Sequence, residues 1–172
     1  MSYLLCVDPG HANAGAAVIE SSTGSVIALR LCETRRHDQK QRWRYADDQA
    51  RRTQELARFY HGLMTEFSIK RLLVELPIGG APNSQAATDL ARASTVLVAV
   101  AEVHGCAMEW YSPSEVKRAA TGRANASKLE VMTAIDKIYN VAVQFPRASQ
   151  REHICDALGV WLAGRTGALA RL

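Results

Sequence analysis

The stretch Tyr3-Leu4-Leu5-Cys6-Val7-Asp8-Pro9-Gly10 constrains the fold more than any other part of the chain. An apolar run of strand length ends in a single carboxylate, and Pro-Gly then stops the strand. A charge at the tip of a buried strand is costly unless a cation or a base faces it. Two readings of Asp8 follow. It caps the turn, ordinary chemistry for Asp before Pro-Gly, or it faces a cleft at the end of a sheet.

The arrangement comes back twice. Lys70-Arg71-Leu72-Leu73-Val74-Glu75-Leu76-Pro77 is again an apolar strand ending in a carboxylate and a proline, with 78–82 as a loop. The third carboxylate lies in Glu152-His153-Ile154-Cys155-Asp156-Ala157-Leu158. His153 and Asp156 are three apart and share one helix face. Ile154, Leu158 and Trp161 lie towards the other side and can pack on a sheet. The alternative for this pair is an acid near a helix start, favoured by the macrodipole, beside a surface histidine.

The remaining elements follow from periodicity and punctuation. Residues 4–7, 15–20 and 25–31 read as strands, with 21–24 a hairpin turn, so the first three strands form an antiparallel meander. A helix is expected over about 46–67, burying Leu56, Phe59, Tyr60, Leu63, Met64 and Phe67. A long alanine-rich helix is expected from the cap Asn83 to about His104, stopped by Gly105. A short strand follows at 107–111. Three capping boxes mark late helix starts at Ser112/Glu115, Ser127/Glu130 and Ser149/Glu152.

Composition narrows the class. A length of 172 residues predicts one domain, 1–172. The four cysteines form no CxxC pair, which fits reduced thiols in a cytoplasmic protein and speaks against structural zinc. No signal peptide is legible, and the longest apolar segment, 93–101, is too short to span a bilayer, so no membrane partner is expected. A net charge of +4 is a mild bias towards polyanions.

Strand four follows a helix, so it can lie parallel beside strand one and bring Glu75 next to Asp8. Ligands collect at the carboxyl ends of such strands. The last helix can lay Asp156 and His153 across the same end. Three converging acids repel one another unless a cation shares them, and hard oxygen ligands suit Mg²⁺ or Mn²⁺ far better than zinc. Two such ions about 4 Å apart can activate a water and stabilise the leaving 3′ oxygen of a phosphodiester. No Ser-His-Asp or Cys-His pairing competes, and no P-loop is present.

Five motifs, taken in order, resemble the RuvC-type Holliday junction resolvases. They are Val7-Asp8-Pro9-Gly10, Leu73-Val74-Glu75, Ser114-Glu115-Val116-Lys117, Ala126-Ser127-Lys128 and His153-Ile154-Cys155-Asp156-Ala157-Leu158. The match runs across nearly the whole chain. It implies an α/β, RNase H-like fold: a central mixed five-stranded sheet, antiparallel in strands 1–3 and parallel in strands 4–5, flanked by helices. It also implies a homodimer that nicks four-way or otherwise branched DNA symmetrically, with two Mg²⁺ per site for which Mn²⁺ can substitute. By position, Asp8, Glu75 and Asp156 become catalytic, metal-binding carboxylates, and His153 holds the place of the fourth ligand. Lys117 and Lys128 match basic residues that meet DNA phosphates. The family often stacks an aromatic on bases after the Glu strand; the nearest position here is Ile78. The segment 34–45 is more basic than the family pattern.

Two basic features stand apart from the acids. Lys128 sits at a helix N-terminus, the less favourable end of the dipole for a cation, as suits a residue placed for an anion. Arg42-Trp43-Arg44-Tyr45 interleaves cations with aromatics, suited to phosphate contact and base stacking, or equally to a helix lead-in with Trp43 packed on the core. Arg123, in the loop 121–125, is a further candidate DNA contact. The helix 83–104 suits either a dimer interface or internal packing. An RNA or RNA–DNA hybrid nuclease would use the same acids, and a non-catalytic junction binder would need only the basic residues. Actin-like ATPases open similarly but need two such domains.

Overall fold

The computed structural model describes residues 2–37, 43–77, 83–165 and 167. Strands β1 (Tyr3–Asp8), β2 (Asn13–Glu20) and β3 (Val26–Glu33) lead into helix α1 (Tyr45–Glu66). Next come β4 (Arg71–Glu75), α2 (Ser84–Val103) and β5 (Ala107–Tyr111), then α3 (Pro113–Thr121), α4 (Lys128–Tyr139), α5 (Val141–Gln144) and α6 (Ala148–Gly164). The sheet order is β3-β2-β1-β4-β5. The first three strands are an antiparallel meander, and β4 and β5 run parallel to β1. Arg42 and Ile78 lie outside the described residues.

β1 is the central strand and is buried on both faces, which is why its sequence is an unbroken apolar run rather than an alternation. Successive side chains serve opposite cores. Leu5 and Val7 join Leu56, Tyr60, Leu63 and Met64 of α1 and Ala93, Leu97 and Ala101 of α2. Leu4 and Cys6 join Ile154, Leu158 and Trp161 of α6, with Val116 of α3 and Val131 and Ile135 of α4. The expected buried face of α1 is present, with Phe59 and Phe67 only partly covered.

Local signals fix the starts of α2, α3 and α4. The Asn83 side chain accepts from the Ala86 N–H, and both expected boxes at Ser112 and Ser127 form with their glutamates. The box expected at Ser149 does not form. The Arg147 carbonyl already accepts from the Gln150 and Arg151 N–H groups, so the helix begins at Ala148 and Ser149 lies inside it. Glu152 is thereby freed from capping, and Lys128 donates to its carboxylate instead.

Candidate active site

Parallel pairing brings the first two acids together. Leu5 pairs with Leu72 and Val7 with Val74, so the next residues of the two strands are Asp8 and Glu75. The last helix supplies the other two groups by lying close on the sheet. Gly15 of β2 makes this possible, because a Cβ there would stand 2.1 Å from the His153 carbonyl oxygen. With α6 seated, His153 Nδ1–H donates to Asp8 Oδ2 at 2.8 Å.

Asp8, Glu75, His153 and Asp156 line one cavity of about 420 Å³, together with Lys117, Lys128 and Glu152. The acids there are short of positive charge. Burial, then Asp8 and Asp156, push Glu75 up to about 8. Burial, then Asp8 and Glu152, push Asp156 up to about 7. Burial alone would lower the His153 imidazole, but its hydrogen bond to Asp8 and the charges of Asp8, Glu152 and Asp156 together outweigh that and raise it. Lys117 and Lys128 draw Glu75 partway back down.

Among the described residues, no three ligating side chains are gathered closely enough to cage an ion. The donor set nevertheless fits a hard divalent cation. It is three carboxylates and an imidazole, and the burial and repulsion that make two of the acids hold protons are what a shared cation relieves.

The other predicted residues divide. Lys117 on α3 and Lys128 at the start of α4 face the cavity. Arg123 pairs with Glu130 and does not line it. Arg44 donates to Asp47 at 2.7 Å on the α1 side of the sheet. Trp43 is half exposed and stacks on His37 with centroids 4.3 Å apart, so it is not a core residue.

Two groups escaped the sequence reading. One is Glu152, hidden behind its apparent capping role. The other is a buried polar network behind the loop that leaves Asp8. Thr34 Oγ1–H donates to the His11 carbonyl, and Arg52 Nε–H donates to Thr34 Oγ1 at 3.0 Å. The Thr34 N–H also holds the Ala12 carbonyl, at 2.8 Å. A signal existed: Asp48, Arg52, Leu56 and Tyr60 recur every four residues, so polar groups occupy the start of the buried stripe.

The sequence matches the family model described as Crossover junction endodeoxyribonuclease RuvC over residues 4–163. The enzyme of that name from Natranaerobius thermophilus is 28% identical over 162 residues, covering 92% of this chain and 91% of its own. That from Salinibacter ruber is 27% identical over 146 residues, covering 82% and 74%. Among solved structures, T. thermophilus RuvC in complex with Holliday junction substrate superposes with a TM-score of 0.73 at 21% identity, covering 95% of this chain and 92% of that one. The yeast mitochondrial Holliday junction resolvase gives 0.63 at 15% identity, covering 94% and 78%. These structural likenesses establish the RNase H-like fold that the sequence led us to expect. With the family match spanning the strand-end acids and the closing helix, the chain belongs to the RuvC family of crossover junction endodeoxyribonucleases, the enzymes that resolve Holliday junctions.

Proposed function

We propose that residues 1–172 form one nuclease domain that resolves four-way DNA junctions by paired, symmetric nicks, using two divalent metal ions per site. Mg²⁺ is the expected ion, with Mn²⁺ as a substitute. The observation that carries this reading is the shared cavity of Asp8, Glu75 and Asp156, in which two of the three acids hold protons far above the usual carboxylate range. Asp8, Glu75 and Asp156 would hold the ions, with His153 as the fourth donor. Bound there, the ions would supply an activated water and stabilise the charge on the leaving 3′ oxygen.

The chain's own groups do the rest. His153 fixes the Asp8 carboxylate through its Nδ1–H. Lys117 and Lys128 draw the scissile phosphate to the cavity; Lys128 exchanges the Glu152 carboxylate for phosphate oxygen as DNA enters. Arg42, Arg44 and Arg123 extend the phosphate contacts along the arms, and Ile78 follows the Glu75 strand where bases approach. A homodimer makes the paired nicks intelligible, because two sites related by a two-fold can cut two strands of a two-fold junction. Such an enzyme works where the cell's DNA is, in the cytoplasm of a bacterium or of a phage-infected host.

The test is incubation with a labelled four-way junction, its linear arms and an RNA–DNA hybrid, each with Mg²⁺, Mn²⁺ or EDTA. Paired nicks in the junction alone, lost in EDTA, are the expected result. Cutting of the hybrid instead would move the protein to RNA processing, and junction binding without cutting in either metal would make it a binding protein.

A further inference from the structure

Among the described residues, the active-site cavity is lined by four carboxylates, Asp8, Glu75, Glu152 and Asp156, against two lysines, Lys117 and Lys128. That balance is unfavourable for a surface that must admit a polyanion. Asp8, Glu75 and Asp156 are accounted for as metal donors. Glu152 is not: its carboxylate accepts from Lys128 Nζ, tying α6 to the first residue of α4.

Three observations set this pair apart from an ordinary surface ion pair. Both partners line the cavity. Lys128 draws both Glu75 and Asp156 down, so its ammonium acts on the site's acids and stands where an entering phosphate would meet it. Glu152, for its part, has no role in starting its own helix, because α6 begins at Ala148 without a side-chain cap. Its one hydrogen-bond partner among the described residues is Lys128. The Lys128 side chain is 75% exposed and that of Glu152 33%, so the pair sits at the rim and adds little to stability. Its consequence is for what enters the cavity. A lysine holds a carboxylate oxygen and a phosphate oxygen by the same charge-assisted hydrogen bond, and the two compete for one ammonium.

We propose that Glu152 is a specificity-determining residue: it competes with DNA phosphate for Lys128, and so sets how firmly a DNA must be held elsewhere before its backbone enters the cavity. The proposal rests on the junction reading above. An entering phosphate breaks the ion pair and leaves the Glu152 carboxylate beside it, a like charge that opposes every DNA alike. The ratio of affinities is unchanged by this, but occupancy is not. A junction gripped along its arms stays bound at concentrations where a linear duplex, held by fewer contacts, is released before it can be nicked.

The test is titration of a four-way junction and a linear duplex with the full chain in EDTA, with nicking of both followed in Mg²⁺. Glu152→Gln should tighten both complexes roughly three- to tenfold at low salt, and the gain should shrink as salt screens the repulsion. Linear duplex should then be nicked at enzyme concentrations where the parent cuts only junctions. Glu152→Asp, which keeps the charge, should give a smaller gain. Lys128→Ala should cost more affinity in the Glu152→Gln background than in the parent, because only there is the ammonium free before DNA arrives. Weaker binding in Glu152→Gln, or an equal cost of Lys128→Ala in the two backgrounds, overturns the proposal and makes the pair a structural one. So does a Glu152→Gln variant that loses cutting of saturated junctions at unchanged affinity, which would make Glu152 a metal donor. Each of these outcomes leaves the parent a junction nuclease, whereas a parent chain that neither binds nor cuts junctions refutes the functional reading itself.

Discussion

Two polar clusters flank β1 at the same end of the sheet, and they are short of opposite things. On the α6 side, Asp8, Glu75 and Asp156 have too little positive charge, and the protein raises the proton affinity of Glu75 and Asp156 in consequence. On the α1 side, His11 and Arg52 are buried with too few acceptors. Burial pulls both below their usual ranges, and Arg52 pulls His11 down further. Arg52 Nη1, His11 Nδ1 and the Gln49 amide atoms have no hydrogen-bond partner there, although Asp89 Oδ1 stands 3.7 Å from His11 Nδ1. A cation would complete the first cluster, and hydrogen-bonding groups the second. The first is also costly to stability and the second supports it, because Arg52 and Thr34 together hold the loop that leaves Asp8.

The largest effect should come from the acids. Asp8→Asn should lower cleavage by at least about a thousandfold, the several kcal/mol a lost metal function represents, while junction affinity in a gel-shift assay changes little. Full activity in that variant would remove Asp8 from the chemistry.

Next in size is a contrast in stability between the clusters. Thr34→Val strips Arg52 Nε of its acceptor and leaves the His11 carbonyl only the long 3.5 Å contact from Arg52 Nη2, and should cost about 1–3 kcal/mol in denaturant unfolding. Glu75→Gln removes a buried carboxyl that must take up a proton on folding and should stabilise the metal-free protein at neutral pH by about 1 kcal/mol. Changes of the same sign in both variants would break the contrast.

The pH dependence sharpens it. Glu75 and Asp156 bind protons more tightly folded than unfolded, so folding takes up protons and stability falls as pH rises. The metal-free melting temperature should decline from about pH 4, the unfolded carboxylate range, through the folded values of about 7 and about 8. Mg²⁺ should restore more stability at about pH 8 than at about pH 5, since a cation competes with the protons. A flat metal-free profile would mean that the acids are already compensated. The smallest effect is on DNA. Lys117→Ala should weaken binding to every junction alike and reduce the salt slope of log affinity by about one.

Much of the first cluster was legible in the chain. Asp8 and Glu75 each end an apolar run before a proline, a pattern that places charges at strand tips whatever surrounds them. Asp156 and His153 share a face through helical spacing alone. The second cluster was not, because the value of Arg52 depends on Thr34 and His11, which are 18 and 41 residues away in sequence. Its trace, polar residues four apart at the start of a buried stripe, says that partners must exist but not which ones.

By itself, the sequence determined the alternation of strands and helices, the caps at Asn83, Ser112 and Ser127, and the acids at the ends of β1 and β4. Each of these depends on interactions within a few residues, where steric and hydrogen-bond rules are local. Packing decided the rest. Seating α6 over Gly15 joined His153 to Asp8, started that helix at Ala148 instead of at the apparent Ser149 cap, and turned Glu152 towards Lys128. Whether a carboxylate caps a helix, pairs with a lysine or repels another acid depends on which charges lie within a few ångströms, and the folded chain alone sets those distances.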